Sequence, residues 1–113
     1  MTIQENEAAE AFAALGNRTR LKLLRLMVRA GDEGLGIGAI QAHLRLPAST
    51  LAHHIESLAS AGLAKREPRG REVICTAAFG RLRAATAYLL DSCCAGVADG
   101  VADGGAKKTG TRA

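Results

Sequence analysis

The spacing of apolar residues predicts two helices near the start of the chain. Ala8, Phe12 and Leu15 recur at the interval of an amphipathic helix, which Gly16 ends. Asn17 is suited to cap the next helix, whose other face is rich in Arg and Lys. The predicted apolar stripe of that second helix consists of Leu21, Leu24 and Val28, broadened by Leu23, Leu26 and Met27.

Two more helices are predicted on either side of a tight turn. Apolar positions in Ile37–Leu44 indicate about two helical turns. Pro47 is tolerated at the start of a helix but not inside one, so it opens the next helix, over residues 48–61. Gly62 then provides a C-terminal stop. The turn between the two helices occupies residues 45–47.

The rest of the chain predicts a hairpin, one last helix and a tail. Residues 63–67 and 72–76 are short extended runs around a basic turn at residues 68–71. Residues 79–94 return to helical spacing, with Leu82, Thr86, Leu89 and Cys93 on one face. Residues 96–113 are small, polar and rich in glycine, which predicts a disordered tail.

This order of elements predicts a mainly α-helical fold with a small β-hairpin wing, a winged helix-turn-helix. One helix of such a fold enters the major groove of DNA, the preceding helix braces it, and the hairpin reaches flanking phosphates. The 113 residues allow one domain, which we place at residues 1–95. A chain this short leaves little room for an enclosed active site.

Charge points to a polyanionic partner. The net charge is +4, and between Arg18 and Arg83 twelve basic residues face five acidic ones. Aromatic residues make up only 3% of the chain and tryptophan is absent, so the core is small and dimerisation is expected to supplement it.

Three segments carry a resemblance to a known family. They are Asn17–Leu24 (NRTRLKLL), Leu46–Ile55 (LPASTLAHHI) and Leu58–Leu63 (LASAGL). Together they resemble the ArsR/SmtB family of bacterial repressors, and the likeness extends over roughly residues 7–95. The resemblance implies a winged helix-turn-helix homodimer, packed through its first and last helices, that leaves its operator when an effector binds.

The effector sites of many relatives have no counterpart here. Residues 36–43 (GIGAIQAH) lack the Cys-x-Cys pair found there in many members, and residues 79–94 lack the histidines of zinc sensors. The chain has instead Asp91–Gly96 (DSCCAG), and this Cys-Cys pair resembles that of arsenic-responsive members with thiols at the end of the last helix.

The chemistry of Cys93 and Cys94 agrees with capture of a thiophilic metalloid. Adjacent Cα atoms lie about 3.8 Å apart, closer than the roughly 4.4 Å that an ordinary disulfide needs. Two neighbouring thiolates instead chelate one soft centre such as As(III). The alternative is that both are small apolar helix residues. Cys75 is either a third ligand, reached across the interface of an antiparallel dimer, or a buried strand residue.

The predicted DNA contacts lie on the second helix of the turn, on the wing and at one helix start. Ser49, Thr50 and His53 share a polar face, whereas His54 lies at its edge or bonds to the scaffold. At the wing, Arg69 and Arg71 are placed to contact phosphate, the alternative being a solvated turn. Arg18 is placed to approach the DNA backbone.

These observations together predict a repressor that binds double-stranded operator DNA as an inverted repeat, with recognition helices roughly 34 Å apart. Its effector is As(III) or a related thiophilic metalloid, with Sb(III) and methylarsenite left open. A redox- or persulfide-sensing repressor of the same fold is the first alternative, and a metalloid-binding protein without a DNA role is the second. No catalytic residue set, catalytic cofactor, membrane segment or secretion signal is recognised, so we expect a cytoplasmic protein that is not an enzyme.

Overall fold

The computed structural model describes residues 2–97, which form five helices and a three-stranded sheet. In chain order these are α1 (Glu5–Leu15), α2 (Arg18–Ala30), a 3-10 turn (Gly31–Glu33), β1 (Leu35–Gly36), α3 (Ile37–Leu44), α4 (Ala48–Ser60), β2 (Ala64–Arg69), β3 (Glu72–Ala77) and α5 (Phe79–Leu90). Every predicted element is present. Residues 98–113, most of the predicted disordered tail, lie outside the described residues.

The sheet is antiparallel with strand order β1-β3-β2, so β3 is central and β2 is an edge. Arg69 pairs with Glu72, which shortens the turn to Gly70 and Arg71, and Gly70 has φ +63°. The predicted turn over residues 68–71 is therefore too long. Pro68 belongs to β2 because an edge strand tolerates a residue without a backbone N–H.

The core lies between the helices and one face of the sheet. Its largest fully buried side chains are Leu23, Met27, Ile40, Leu51, Ile55, Leu58, Leu63 and Cys75. On α2 the predicted stripe is displaced by about one position, since Leu21 and Val28 at its margins are 45% and 38% exposed. On α1 the buried residues are alanines (Ala8, Ala11 and Ala14), whereas Phe12 and Leu15 are only partly buried.

The last helix departs most from the prediction. It ends at Leu90, and the next four residues form turns in which Ser92 and Cys94 have φ +60° and +66°. Short polar residues such as Asp91 and Ser92 compete for backbone hydrogen bonds and favour this ending. Of the four residues predicted to share a face, Leu82 packs against the core, Thr86 and Leu89 are exposed, and Cys93 lies beyond the helix. The residues that α5 buries within one subunit are Ala84 and Ala85.

Helix α4 ends in a hydrogen-bonded cap. Leu63 N–H donates to the carbonyl of Leu58, and Gly62 N–H donates to that of Ala59. Gly62 has φ +80°, as this C-terminal motif requires. The cap directs the chain from the helix into β2 and confirms the predicted stop at Gly62.

The described residues contain no helix long and apolar enough to cross a bilayer.

Candidate nucleic-acid interface and thiol pair

Helix α4, hereafter the recognition helix, presents one polar face. It buries Leu51, Ile55 and Leu58, which turns Ser49, Thr50 and His53 outward, where all three are exposed. The turn before it contains Arg45 in a left-handed conformation (φ 55°), and Pro47 occupies the N-cap position. The exposed face and the preceding helix α3 have the arrangement that a helix-turn-helix uses to enter a major groove.

His54 faces the protein scaffold. Its ring is half-buried, and Nδ1 lies 3.5 Å from an Arg20 guanidinium nitrogen. Burial, and after it the charges of Arg20 and His53, lower the pKa of His54, so the ring is neutral at pH 7. Of the two predicted roles for His54, contact with the scaffold therefore agrees with the structure.

Arg20 connects three helices, a role that sequence reasoning missed. Its Nε donates to the Ala14 carbonyl near the end of α1 (2.6 Å), while its guanidinium approaches His54 on the recognition helix. Helix α2 buries Leu23, Leu24 and Met27. Its start is capped by Asn17, whose side-chain oxygen accepts a hydrogen bond from the Arg20 backbone N–H at 3.0 Å. In the sequence Arg20 is one of several basic residues on this helix, and nothing there distinguishes it from the others.

The hairpin of β2 and β3, hereafter the wing, exposes its basic residues. Lys65, Arg69 and Arg71 are all exposed, and Arg69 lies 3.3 Å from the Glu67 carboxylate. An exposed pair of this kind stabilises a fold by about 1 kcal/mol at most, so phosphate is able to displace it. Arg18, at the start of α2, is exposed as well.

A second ion pair joins the wing to the recognition helix. Arg66 Nη2 lies 2.8 Å from Glu56 Oε1, and Ser60 Oγ donates to Glu56 Oε2 at 3.1 Å. The hydrogen bond from Arg66, followed by that from Ser60, lowers the pKa of Glu56, which is ionised at neutral pH. Sequence reasoning missed this pair because ten residues separate its members along the chain.

Cys93 and Cys94 lie beyond the end of α5, in the turns that follow it. Both are exposed, and their Sγ atoms are 3.2 Å apart. The hydrogen bond between the thiols, and next the repulsion between two thiolates, raise the pKa of Cys93. The prediction placed both residues inside the last helix, which is wrong, but it expected the exposure that the structure has.

Cys75 lies in the middle of β3 and is fully buried. Its backbone is flanked by Leu35 on one neighbouring strand and Arg66 on the other, and burial raises the pKa of its thiol. Within residues 2–97 of one subunit, no three His, Cys, Asp or Glu residues are grouped so as to hold a metal ion. Cys75 thus has the surroundings of a core residue.

Comparison with known proteins agrees with this geometry. A family model described as a helix-turn-helix domain matches residues 15–67. An uncharacterized HTH-type transcriptional regulator of Methanocaldococcus jannaschii is 36% identical over 64 residues, which cover 57% of this chain and 70% of that protein.

Three solved structures are similar as well. An ArsR-like transcriptional regulator from Rhodococcus sp. RHA1 is 26% identical, with a TM-score of 0.65 over 74% of this chain and 76% of that one. Reduced HlyU from Vibrio cholerae is 25% identical, with a TM-score of 0.62 over 79% and 90% of the two chains. A homodimeric winged helix-turn-helix DNA-binding domain from Mycobacterium bovis is 23% identical, with a TM-score of 0.61 over 77% and 81%.

The recognition helix, its bracing helix and the wing define a winged helix-turn-helix DNA-binding protein. Together with the relatives, they show that the chain belongs to the ArsR family of transcriptional regulators. Family membership confirms the prediction that the protein is not an enzyme, since these relatives are regulators of transcription.

Proposed function

We propose that this protein is a dimeric repressor that leaves its operator when a trivalent arsenic compound binds Cys93 and Cys94. The observation that carries the proposal is the pair of exposed thiols with an Sγ–Sγ separation of 3.2 Å, just beyond α5. An exposed pair of sulfur ligands without nearby carboxylate or imidazole partners selects a soft centre.

The number of ligands favours a trivalent arsenical over zinc. Structural zinc takes four protein ligands, whereas no three His, Cys, Asp or Glu residues are grouped to hold a metal ion within residues 2–97 of one subunit. Two thiols are enough to replace both hydroxyls of methylarsenite, and the 3.2 Å Sγ–Sγ separation leaves both within reach of one centre.

The binding step is an exchange of ligands on arsenic without oxidation. Each thiol of Cys93 and Cys94 gives its proton to a departing hydroxide of the arsenical, and two waters leave as two As–S bonds form. Both hydroxyls of methylarsenite are replaced by sulfur in this exchange, whereas arsenite retains one of its three hydroxyls. A third thiol from Cys75 requires β3 to expose a fully buried side chain, so our proposal rests on two thiols.

Dimerisation through the last helix is the second part of the proposal. Leu89 and Leu90 are 68% and 66% exposed in one subunit, although they continue the helix that packs on α1. Exposed apolar residues grouped in this way mark association surfaces, and the Mycobacterium bovis domain with the same fold is described as homodimeric. A two-fold axis through α5 gives two recognition helices, which suits an inverted-repeat operator.

Release follows if the arsenical binds more tightly to the dimer that is unable to engage DNA. A ligand with equal affinity for both arrangements shifts nothing. The thiols follow Leu89 and Leu90 directly in the chain, so bridging them alters the backbone next to the proposed dimer interface. A change in the packing of the two α5 helices then moves the recognition helices out of register with their grooves.

Redox sensing is the competing function, because a similar structure is described as reduced HlyU. Oxidation proceeds through thiolate, whereas the pKa of Cys75 and the pKa of Cys93 are both raised. Metal binding needs the thiolate as well, so these shifts do not separate the two triggers. The arsenical is favoured because the adjacent Cys93 and Cys94 are too close along the chain for an ordinary disulfide, while Cys75 is fully buried.

Footprinting on the DNA upstream of the protein's own gene tests the proposal. Methylarsenite or arsenite is expected to remove the protected region at concentrations near that of the protein, whereas peroxide or polysulfide leaves it in place. The opposite pattern establishes redox sensing. Absence of any salt-dependent protected region contradicts the DNA-binding role itself.

A further inference from the structure

The ion pair between Glu56 and Arg66 places a negative charge where DNA is expected. Glu56 follows His53 by three residues and Ser49 by seven, so all three lie on one face of the recognition helix. Its side chain is 58% exposed. A carboxylate on a face that meets phosphates and base edges opposes binding unless it has a role there.

The pair has almost no net charge. DNA affinity that does not depend on sequence arises from cations that replace condensed counterions on phosphates. Arg66 is held more firmly than Arg69 is, because its guanidinium lies 2.8 Å rather than 3.3 Å from the paired carboxylate and Ser60 holds the second oxygen of that carboxylate. Arg66 therefore contributes less than Arg69 to that exchange. By contrast, Lys65 and Arg71 form no ion pair with any residue among 2–97, so they retain their full charge.

Both oxygens of Glu56 have a hydrogen-bonding partner, and together these partners orient its carboxylate. Arg66 holds Oε1 from the wing side, and Ser60 holds Oε2 from the next turn of the same helix. A carboxylate in the major groove accepts hydrogen bonds from amino groups such as cytosine N4, and it repels the O6 and N7 acceptors of guanine. A carboxylate at the position of Glu56 therefore favours some base pairs over others, and it also repels nearby phosphates.

We infer that Glu56 is a specificity-determining residue: it holds Arg66 off the DNA backbone and so lowers affinity for DNA of unrelated sequence. The wing then binds phosphate through cations other than Arg66, such as Lys65 and Arg71. The protein stays bound only where the recognition helix also makes matching contacts with base edges. This inference uses DNA binding by the recognition helix and is independent of the effector.

Glu56→Gln tests the inference because it removes the charge and keeps the shape. Affinity is measured against a random-sequence duplex, and against the tightest duplex selected by the wild-type protein, at several salt concentrations. We expect Glu56→Gln to bind the random duplex several-fold more tightly. The slope of log K against log salt should steepen by about 0.9, the value for one additional neutralised phosphate.

Two further variants show whether Glu56 acts through Arg66. Arg66→Ala alone should leave the wild-type slope unchanged, since the paired guanidinium neutralises no phosphate. In the Arg66→Ala background, Glu56→Gln should no longer steepen the slope. A loss of about 0.9 from the slope of Arg66→Ala would show that Arg66 contacts phosphate despite Glu56, which overturns the inference.

The matched control is Glu67→Gln on the wing. Glu67 pairs with Arg69 at 3.3 Å and is similarly exposed, but it does not lie on the recognition helix. Glu67→Gln should tighten both duplexes equally, because wing contacts go to phosphate and carry no sequence information. Glu56→Gln should instead lower the ratio of selected to random affinity several-fold. An unchanged ratio, or weaker binding to the random duplex, refutes the inference.

Discussion

Replacing Cys75 with serine separates the role of this residue from that of the exposed thiol pair. The two side chains have nearly the same shape, but serine presents a hydroxyl that needs a hydrogen-bond partner when buried. Cys75 is fully buried on the central strand, and its backbone is paired with strands on both sides. The substitution therefore buries a polar group among apolar neighbours.

The size of the effect follows from burial. An unsatisfied buried hydroxyl destabilises a protein by about 1–3 kcal/mol. For a domain of this size, each kcal/mol lowers the melting temperature by roughly 4–8 °C. We therefore expect Cys75→Ser to melt roughly 4–24 °C below the wild type, while its capacity for arsenical is unchanged once it is folded.

Thermal unfolding followed by circular dichroism, combined with titration by phenylarsine oxide below the melting temperature, measures both quantities. Cys75→Ala is the control, because it removes the thiol without adding a polar group and should be less destabilised. If Cys75→Ser keeps the wild-type melting temperature but loses arsenical-driven release from DNA, Cys75 is an accessible ligand and our description of it is refuted.

Three other expectations concern stability and assembly. Because the pKa of His54 is lowered in the folded protein, the unfolded chain binds a proton at this residue more readily. The free energy of unfolding should therefore fall as the pH drops from about 6.5, the unfolded pKa, to the lower pKa of the folded state. His54→Gln should flatten this part of the profile of unfolding free energy against pH. Gly62→Ala places a side chain at φ +80°, so its free energy of unfolding in urea should fall by about 1–2 kcal/mol. Leu89→Glu with Leu90→Glu should yield a monomer by analytical ultracentrifugation, with much weaker DNA binding, because charge is introduced into the proposed dimer interface.

Each expectation has a result that contradicts it. If His54→Gln leaves the dependence of unfolding free energy on acidic pH unchanged, groups other than His54 cause the loss of stability. The control for Gly62→Ala is Gly38→Ala, at an exposed glycine of α3 that has no positive φ and open space around an added side chain. Wild-type stability in Gly62→Ala shows that the end of the recognition helix relaxes without strain. A dimer that survives both glutamates shows that the subunits associate through another surface.

The sequence predicts much of the fold because its local signals agree with one another. Asn17, Pro47 and Gly62 each mark a helix boundary through a backbone requirement of their own, and the structure uses all three. The helical spacing on the recognition helix identifies both its buried and its exposed face. These are short-range effects, so a single sequence contains them.

Interactions between distant segments are less predictable. The ion pair of Arg66 with Glu56 and the contact of Arg20 with His54 depend on how elements pack, and charge counting does not reveal them. The end of α5 at Leu90 was missed because Leu82, Thr86, Leu89 and Cys93 extend a regular helical pattern past it. Apolar residues at helical spacing are typical of a surface that binds another molecule as well as of the core, so the pattern alone does not distinguish the two.

The central claim is that bridging of Cys93 and Cys94 by trivalent arsenic releases the protein from DNA. The direct measurement is fluorescence anisotropy of a labelled operator duplex, titrated with methylarsenite in the presence of wild-type protein or of the Cys93→Ser, Cys94→Ser double variant. Both thiols are exposed, so the variant should fold and bind DNA as the wild type does. We predict that the wild type dissociates and the variant stays bound; dissociation of the variant at the same arsenical concentration would contradict the claim.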